Sequence, residues 1–146
     1  MLTEERVDEL YDHREVLELG ALHLAQQYDA DLTEVADATR ALRAMSLDAP
    51  WVDVVLAHQR VHHRLVQAAG NSKLLHAYVQ CEDELHYVVS TVRPEFTATR
   101  LAELHTTLLA ALQEGGVAAT EALRRDLRAG RAAVLAGLRD RADMAS

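Results

Sequence analysis

The feature that most constrains the fold is a spacing of three and four residues between apolar positions, repeated along stretches almost free of glycine and proline. The 146 residues include only 6 Gly and 2 Pro, the two residues that most disfavour a helix interior. Apolar side chains at this spacing lie on one face of a helix, and the alternation typical of strands appears nowhere. The pattern predicts a single all-α domain over residues 1–146, an antiparallel bundle with one core.

Breaks in the pattern divide the chain into six helical segments. Pro50 is expected in the first turn of the third helix, and Ser72 is expected to cap the fourth. The segments run from a cap at Thr3 to about Tyr28, from Leu32 to Met45, from Trp51 to Gly70-Asn71, from about Lys73 to Val92 with a stop near Pro94, from Thr97 to about Glu114, and onward from Gly115-Gly116.

The third segment, residues 51–71, carries two histidines on its apolar face. His58 and His62 are four residues apart, which places them one turn apart, so that both imidazoles can reach one divalent ion. His63 falls on the opposite face with Gln59, and both are expected to be solvated. A single inward histidine is readily explained as a core residue hydrogen-bonded to a neighbour, but two on one turn favour a shared partner.

Two further polar residues fall on apolar faces, His105 in the fifth helix and Asp126 in the last. A carboxylate among alanines and leucines is costly unless it is paired, hydrogen-bonded or bound to a metal. Neutral imidazole and carboxylate are the ligands that zinc, nickel, manganese and iron accept inside helical bundles. The sequence therefore predicts a metal site formed by His58, His62, His105 and Asp126, with zinc as the preferred ion and nickel, manganese or iron as alternatives.

Three charged or polar residues are candidates for ligand binding: Arg14, Glu82 and His86. Arg14 lies one turn from Glu18 on the flank of the first apolar stripe, where it either forms an intrahelical ion pair or reaches inward to bind an anion. Glu82 and His86 lie near the apolar edge of the fourth helix. They belong either to a solvated acidic patch or to the pocket.

Charge and cysteine content exclude several functions. The net charge is −8 and the basic residues are scattered, so direct nucleic-acid binding by this chain is not expected. No stretch is long and apolar enough for a membrane span, and the acidic N-terminus does not resemble a signal peptide. Cys81 is the only cysteine, which excludes an intrachain disulfide and fits a cytoplasmic protein.

Three stretches carry a family resemblance. Residues 62–74, HHRLVQAAGNSKL, end in Gly-Asn-x-x-Leu; residues 11–18, YDHREVLE, contain Arg-x-x-x-Glu; residues 104–112, LHTTLLAAL, precede Gly115. They resemble the FCD (FadR C-terminal) effector-binding domain of GntR-type transcription regulators. The resemblance implies six or seven helices around a pocket with a metal at its floor, where the carboxylate of a small organic acid completes the coordination. It also assigns Arg14 to that carboxylate.

The family's metal site uses one aspartate and three histidines, with the aspartate four residues before the first histidine and the last histidine on the final helix. In this chain His58 stands where the family has aspartate. Asp126 stands where the family has its last histidine, if one residue is deleted after Gly116. The resemblance therefore implies that two positions have exchanged residue type while the set of three imidazoles and one carboxylate is kept.

The resemblance favours a sensor. Such a domain would bind an organic acid, form a homodimer and pass the signal to its dimer partner or to a DNA-binding domain outside this chain. The usual winged helix-turn-helix is not found, because Met1 precedes the first helix by only a few residues. Two alternatives remain: a stand-alone metalloenzyme acting on a small carboxylate, for example in a biosynthetic pathway, with Glu82, His86 or Tyr87 transferring a proton, and a helical scaffold whose histidines only pack.

Overall fold

The computed structural model describes residues 1–93 and 96–146, and within these ranges the chain forms six α-helices and no strand. This confirms the predicted all-α bundle. The expected stop near Pro94 lies outside the described residues. The helices are α1 (Glu4–Gln27), α2 (Thr33–Arg43), α3 (Trp51–Ala68), α4 (Ser72–Thr91), α5 (Ala98–Glu114) and α6 (Gly116–Met144).

The helix starts follow local capping chemistry. Thr3 caps α1 as predicted, since its side chain accepts a hydrogen bond from the Arg6 amide. Pro50, by contrast, lies at the N-cap of α3 and not inside its first turn. Asn71, not Ser72, caps α4, because the Asn71 side chain accepts from the Leu74 amide at 3.0 Å. Both corrections shift a boundary by one residue and leave the helix in place.

Glycines end α3 and α5 as the sequence predicts. Gly70 has φ +67°, and Gly115 and Gly116 have φ +79° and +62°. These values lie in the left-handed region that favours glycine, which lets the chain reverse direction directly after a helix.

Three polar side chains are more deeply buried than the pattern indicates. Arg14 and Glu18, expected on a flank, are 2% and 0% exposed, and Gln59, expected to be solvated, is 4% exposed. The buried face of α1 is wider than the predicted stripe, because Leu22 and Ala25 are also buried and share a face with Glu18 at spacings of four and seven. Charged and polar side chains of α1 and α3 therefore lie within the core.

The helices bury two apolar clusters. α1 packs against α3, α4 and α6, while α2 packs against α3 and α5, and α5 also packs against α6. One cluster includes Val7 on α1 and Val134 on α6, and the other includes Leu22 and Leu123 on the same two helices. Six polar residues on these helices form what we call the polar centre, four of them buried and the last two partly exposed: Arg14, Glu18, His62, His105, His58 and Asp126.

Within the described ranges, none of the helices combines the length and the apolar character needed to cross a lipid bilayer.

Candidate metal centre

α3, α5 and α6 bring the four predicted metal ligands to one place. His58, His62 and His105 each offer a ring nitrogen, and these nitrogens lie within 4.8 Å of one another. Their rings meet edge to face with centroids 4.6–5.2 Å apart. The Asp126 Oδ2 atom lies 3.3 Å from His62 Nε2 and 3.6 Å from His105 Nε2. The donor atoms therefore converge, although their metal-binding role stays a prediction.

Hydrogen bonds at the outer nitrogens orient two of the imidazoles. The Nδ1–H of His105 donates to the Leu101 carbonyl oxygen at 2.7 Å, and a carbonyl can only accept. The Nδ1–H of His62 donates to Glu18 Oε1 at 2.5 Å. Each Nε2 is consequently turned inward, and the two Nε2 atoms are 3.0 Å apart. This arrangement, with Nδ1 held by an acceptor, is typical of histidines that bind metals.

A proton or a metal ion between these two nitrogens would stabilise their close approach. Two neutral imidazoles with Nδ1 protonated would point lone pairs at each other across 3.0 Å, which is repulsive. A proton or a metal ion between them removes the repulsion. Metal–nitrogen bonds of about 2.0–2.1 Å place two nitrogen ligands about 2.9–3.4 Å apart for bond angles from square to tetrahedral. The observed separation fits that range, so the residues suit a divalent transition metal.

The pKa values of the polar centre reflect the same convergence. Burial opposes a charge on His62, but the carboxylates of Glu18 and Asp126 raise its pKa to about 9. Burial and the adjacent imidazoles lower the pKa of His58 well below its usual range. Although burial acts in the opposite direction, His105 and His62 hold the pKa of the Asp126 carboxyl below its ordinary value. In the absence of a metal, a proton on His62 supplies the cation.

Glu18 links His62 to Arg14. Its Oε2 atom accepts from Arg14 Nε at 2.6 Å, and the Tyr78 hydroxyl donates to the same oxygen at 3.4 Å. Of the two alternatives for Arg14, the ion pair with Glu18 is therefore present, but inside the core and not on a flank. The contact of Glu18 with His62 was missed from sequence. The available signal was its position four residues before the buried Leu22 on α1.

One guanidinium nitrogen of Arg14 is left without a partner. Nη2 is buried and has no hydrogen-bond partner among the described residues. Buried polar atoms in folded proteins are almost always hydrogen-bonded, so an unpartnered one calls for an explanation. The positive charge of Arg14 also contributes to the lowered pKa values of His58 and His105.

The structure does not bring Glu82 and His86 to the polar centre. They lie in a groove on the other side of α3, which we call the α3/α4 groove and which is also lined by Gln59 and His63. There His63 Nδ1 lies 2.8 Å from Glu82 Oε2, and His86 Nδ1 lies 3.3 Å from Gln59 Oε1. His63 is thus paired and only partly exposed, contrary to its expected solvation. Tyr87, the third proton-transfer candidate, is exposed.

Comparison with known proteins adds one finding. A family model described as the FCD domain matches residues 9–129, a span that includes every residue of the polar centre. Neither the comparison with curated proteins nor the comparison with solved structures found a match.

Proposed function

The chain belongs to the FCD domain family, and on that premise we propose that it is an effector-binding domain that holds a small organic acid at a divalent transition metal. His58, His62, His105 and Asp126 would hold the metal. The observation that carries this proposal is the 3.0 Å separation of two inward Nε2 atoms whose rings are fixed from outside. Both rings are held so that these nitrogens face each other, as two ligands of one ion would.

The metal would act as a Lewis acid toward the ligand carboxylate. Three imidazoles and one carboxylate are an acceptable donor set for zinc, our preferred ion, and also for nickel, manganese or iron. An ion that takes more than four donors keeps positions for water or for a carboxylate oxygen. The chain's own residues supply the remaining work of orienting the imidazoles and balancing charge.

Arg14 would bind the same carboxylate. Its Nε is occupied by Glu18, but its buried Nη2 has no partner among the described residues. A guanidinium N–H donates a charge-assisted hydrogen bond to a carboxylate, and such bonds are stronger away from solvent. A ligand held by Arg14 and the metal would join α1 to α3, α5 and α6. We expect that link to convey ligand binding to a homodimer partner or to a DNA-binding domain outside this chain.

Calorimetric titration of short hydroxy- and dicarboxylic acids tests this proposal. Zinc-loaded protein should bind at least one acid, and removal of zinc by a chelator should weaken that acid by about tenfold or more, or about 1.4 kcal/mol. The His62→Ala variant serves as the control for the metal site. NMR spectra of the mixture should show that the acid is not chemically converted. Equal affinity with and without zinc would contradict the proposal. Conversion of the acid would favour the enzyme alternative.

A further inference from the structure

A second groove, between α5 and α6, meets the polar centre at one residue. This α5/α6 groove has a volume of about 370 Å³, and Asp126 is part of its lining together with Arg100, Leu104, Leu108, Arg125 and Ala129. Its size falls within the range of about 300–1,000 Å³ that is typical of small-molecule sites. Asp126 therefore belongs both to the groove and to the polar centre.

Asp126 is the more accessible of the two carboxylates in the polar centre. Its side chain is 13% exposed, whereas those of Glu18 and His62 are almost completely buried. The Asp126 Oδ2 atom is nevertheless 3.3 Å from His62 Nε2. Asp126 therefore connects the α5/α6 groove, which is open to solvent, with the two almost completely buried imidazoles of His62 and His105.

The rim of the groove is suited to anions. Arg100 on α5 and Arg125 on α6 both line it. Arg100 is paired at 3.5 Å with Glu103, which also lines the groove, so the charge of Arg100 is compensated there. Arg125 is exposed and directly precedes Asp126. On a chain whose net charge is −8, a local positive charge at the mouth of a cleft raises the concentration of anions there.

We propose that the α5/α6 groove is the entrance to the polar centre and that Arg125 is a specificity-determining residue that favours small carboxylates over neutral and cationic solutes. This inference deepens the proposed function and rests on it. The path runs past Ala129 and Asp126, and the charge of Arg125 has opposite effects on the cations and the anions that use it.

The path is tested by narrowing the groove. Ala129 lines it, whereas Ala132 is exposed on the same helix and does not, so Ala129→Trp and Ala132→Trp form a matched pair. Uptake of Co²⁺, followed by stopped-flow absorbance of its d–d bands, should slow by on the order of tenfold in Ala129→Trp. Equilibrium affinity should not change, and Ala132→Trp should match the wild type. Equal rates in the two variants would overturn the proposed path.

The charge effect is tested with Arg125→Glu, which alters an exposed residue and so does not depend on a core substitution folding. Arg128→Glu is the matched control, because Arg128 faces Glu15 of α1 at 3.4 Å. At low salt, Arg125→Glu should accelerate Co²⁺ uptake and slow metal removal by the small dianion dipicolinate, each by several-fold to about tenfold. The same effects in Arg128→Glu, or none in Arg125→Glu, would overturn the role of Arg125.

A wild-type protein that takes up no Co²⁺ would instead overturn the proposed function, and this inference with it.

Discussion

His62 and His63 are neighbours on α3, and each uses Nδ1 to contact a glutamate, yet the two pairs lie in very different environments. The His62–Glu18 pair spans 2.5 Å with side chains 1% and 0% exposed. The His63–Glu82 pair spans 2.8 Å with side chains 28% and 20% exposed. Because successive residues on a helix point in different directions, one pair enters the core and the other borders the α3/α4 groove.

The difference lies in what surrounds each pair. In the polar centre the second nitrogen of His62 meets His105 and Asp126, and Arg14 compensates the charge of Glu18. Around His63, no comparable convergence of three metal-ligating side chains occurs among the described residues. A histidine–glutamate contact alone is therefore a poor predictor of a metal site. Convergence of several donors in a buried place is the more informative feature.

The largest expected difference is that between removing His62 and removing His63. Loss of His62 deletes a metal donor and should reduce zinc affinity by more than the roughly 10–100-fold typical of losing a residue that only orients a ligand. His63→Ala should leave zinc affinity within about twofold, because His63 lines the α3/α4 groove and its Nδ1 contacts Glu82. Competitive titration against a chromophoric chelator measures both. Similar losses in the two variants would remove the distinction between the regions.

Next in size is the removal of each glutamate's charge. Glu18→Gln leaves Arg14 as an uncompensated buried charge and should cost about 3–5 kcal/mol of unfolding free energy, with a roughly 10–100-fold loss of metal affinity. Glu82→Gln should cost at most about 1 kcal/mol and leave metal affinity unchanged. Urea unfolding of the metal-free proteins, followed by metal titration, compares them. If Glu18→Gln proves as mild as Glu82→Gln, the buried network contributes little.

Exchange of two donor types sharpens the assignment within the polar centre. His58→Asp and Asp126→His each alter the donor set, whereas the double variant restores three imidazoles and one carboxylate in the family's own arrangement. The double variant should therefore retain metal better than either single variant, with a coupling free energy of about 0.5–3 kcal/mol. Purely additive losses would argue that Asp126 does not bind the metal.

The smallest expected effect concerns the ligand. Arg14→Leu should weaken acid binding by on the order of tenfold while metal content stays nearly intact, since a charge-assisted hydrogen bond contributes about 1.5–3 kcal/mol. Arg64→Leu is the arginine control, because Arg64 lines the α3/α4 groove. Calorimetry with the acid that binds zinc-loaded wild type compares the two. Unchanged affinity in Arg14→Leu would mean that Arg14 serves only to pair with Glu18.

The helices were predictable because their signals are local. Apolar periodicity, glycine breaks and capping residues act over a few positions, so the helix boundaries differ from expectation by one to three residues. The convergence of His58, His62, His105 and Asp126 was also predictable, because each residue interrupts an apolar face and the family resemblance connects the faces. In the structure, ring nitrogens of the three histidines lie within 4.8 Å of one another, and Asp126 Oδ2 contacts two of those histidines. That the four residues bind a metal stays a prediction.

Contacts of polar residues were predicted less well. Gln59 was assigned to a solvated face because it is polar, although Val55 and Val66, four residues before and seven after it, are buried on the same face. Glu18 was taken for a surface partner of Arg14 by the same reasoning. Which long-range partner satisfies a buried polar group depends on helices distant in sequence. Besides Arg14, Glu18 contacts His62 and Tyr78, which are 44 and 60 residues away.

The most direct test of the central claim is the metal content of the purified protein, measured by elemental analysis before and after dialysis against zinc and then against a chelator. The polar centre predicts about one divalent transition metal per chain, and a melting temperature that falls by several degrees when the metal is removed. A protein that takes up neither zinc, nickel, manganese nor iron, and whose melting temperature is indifferent to chelator, would contradict it.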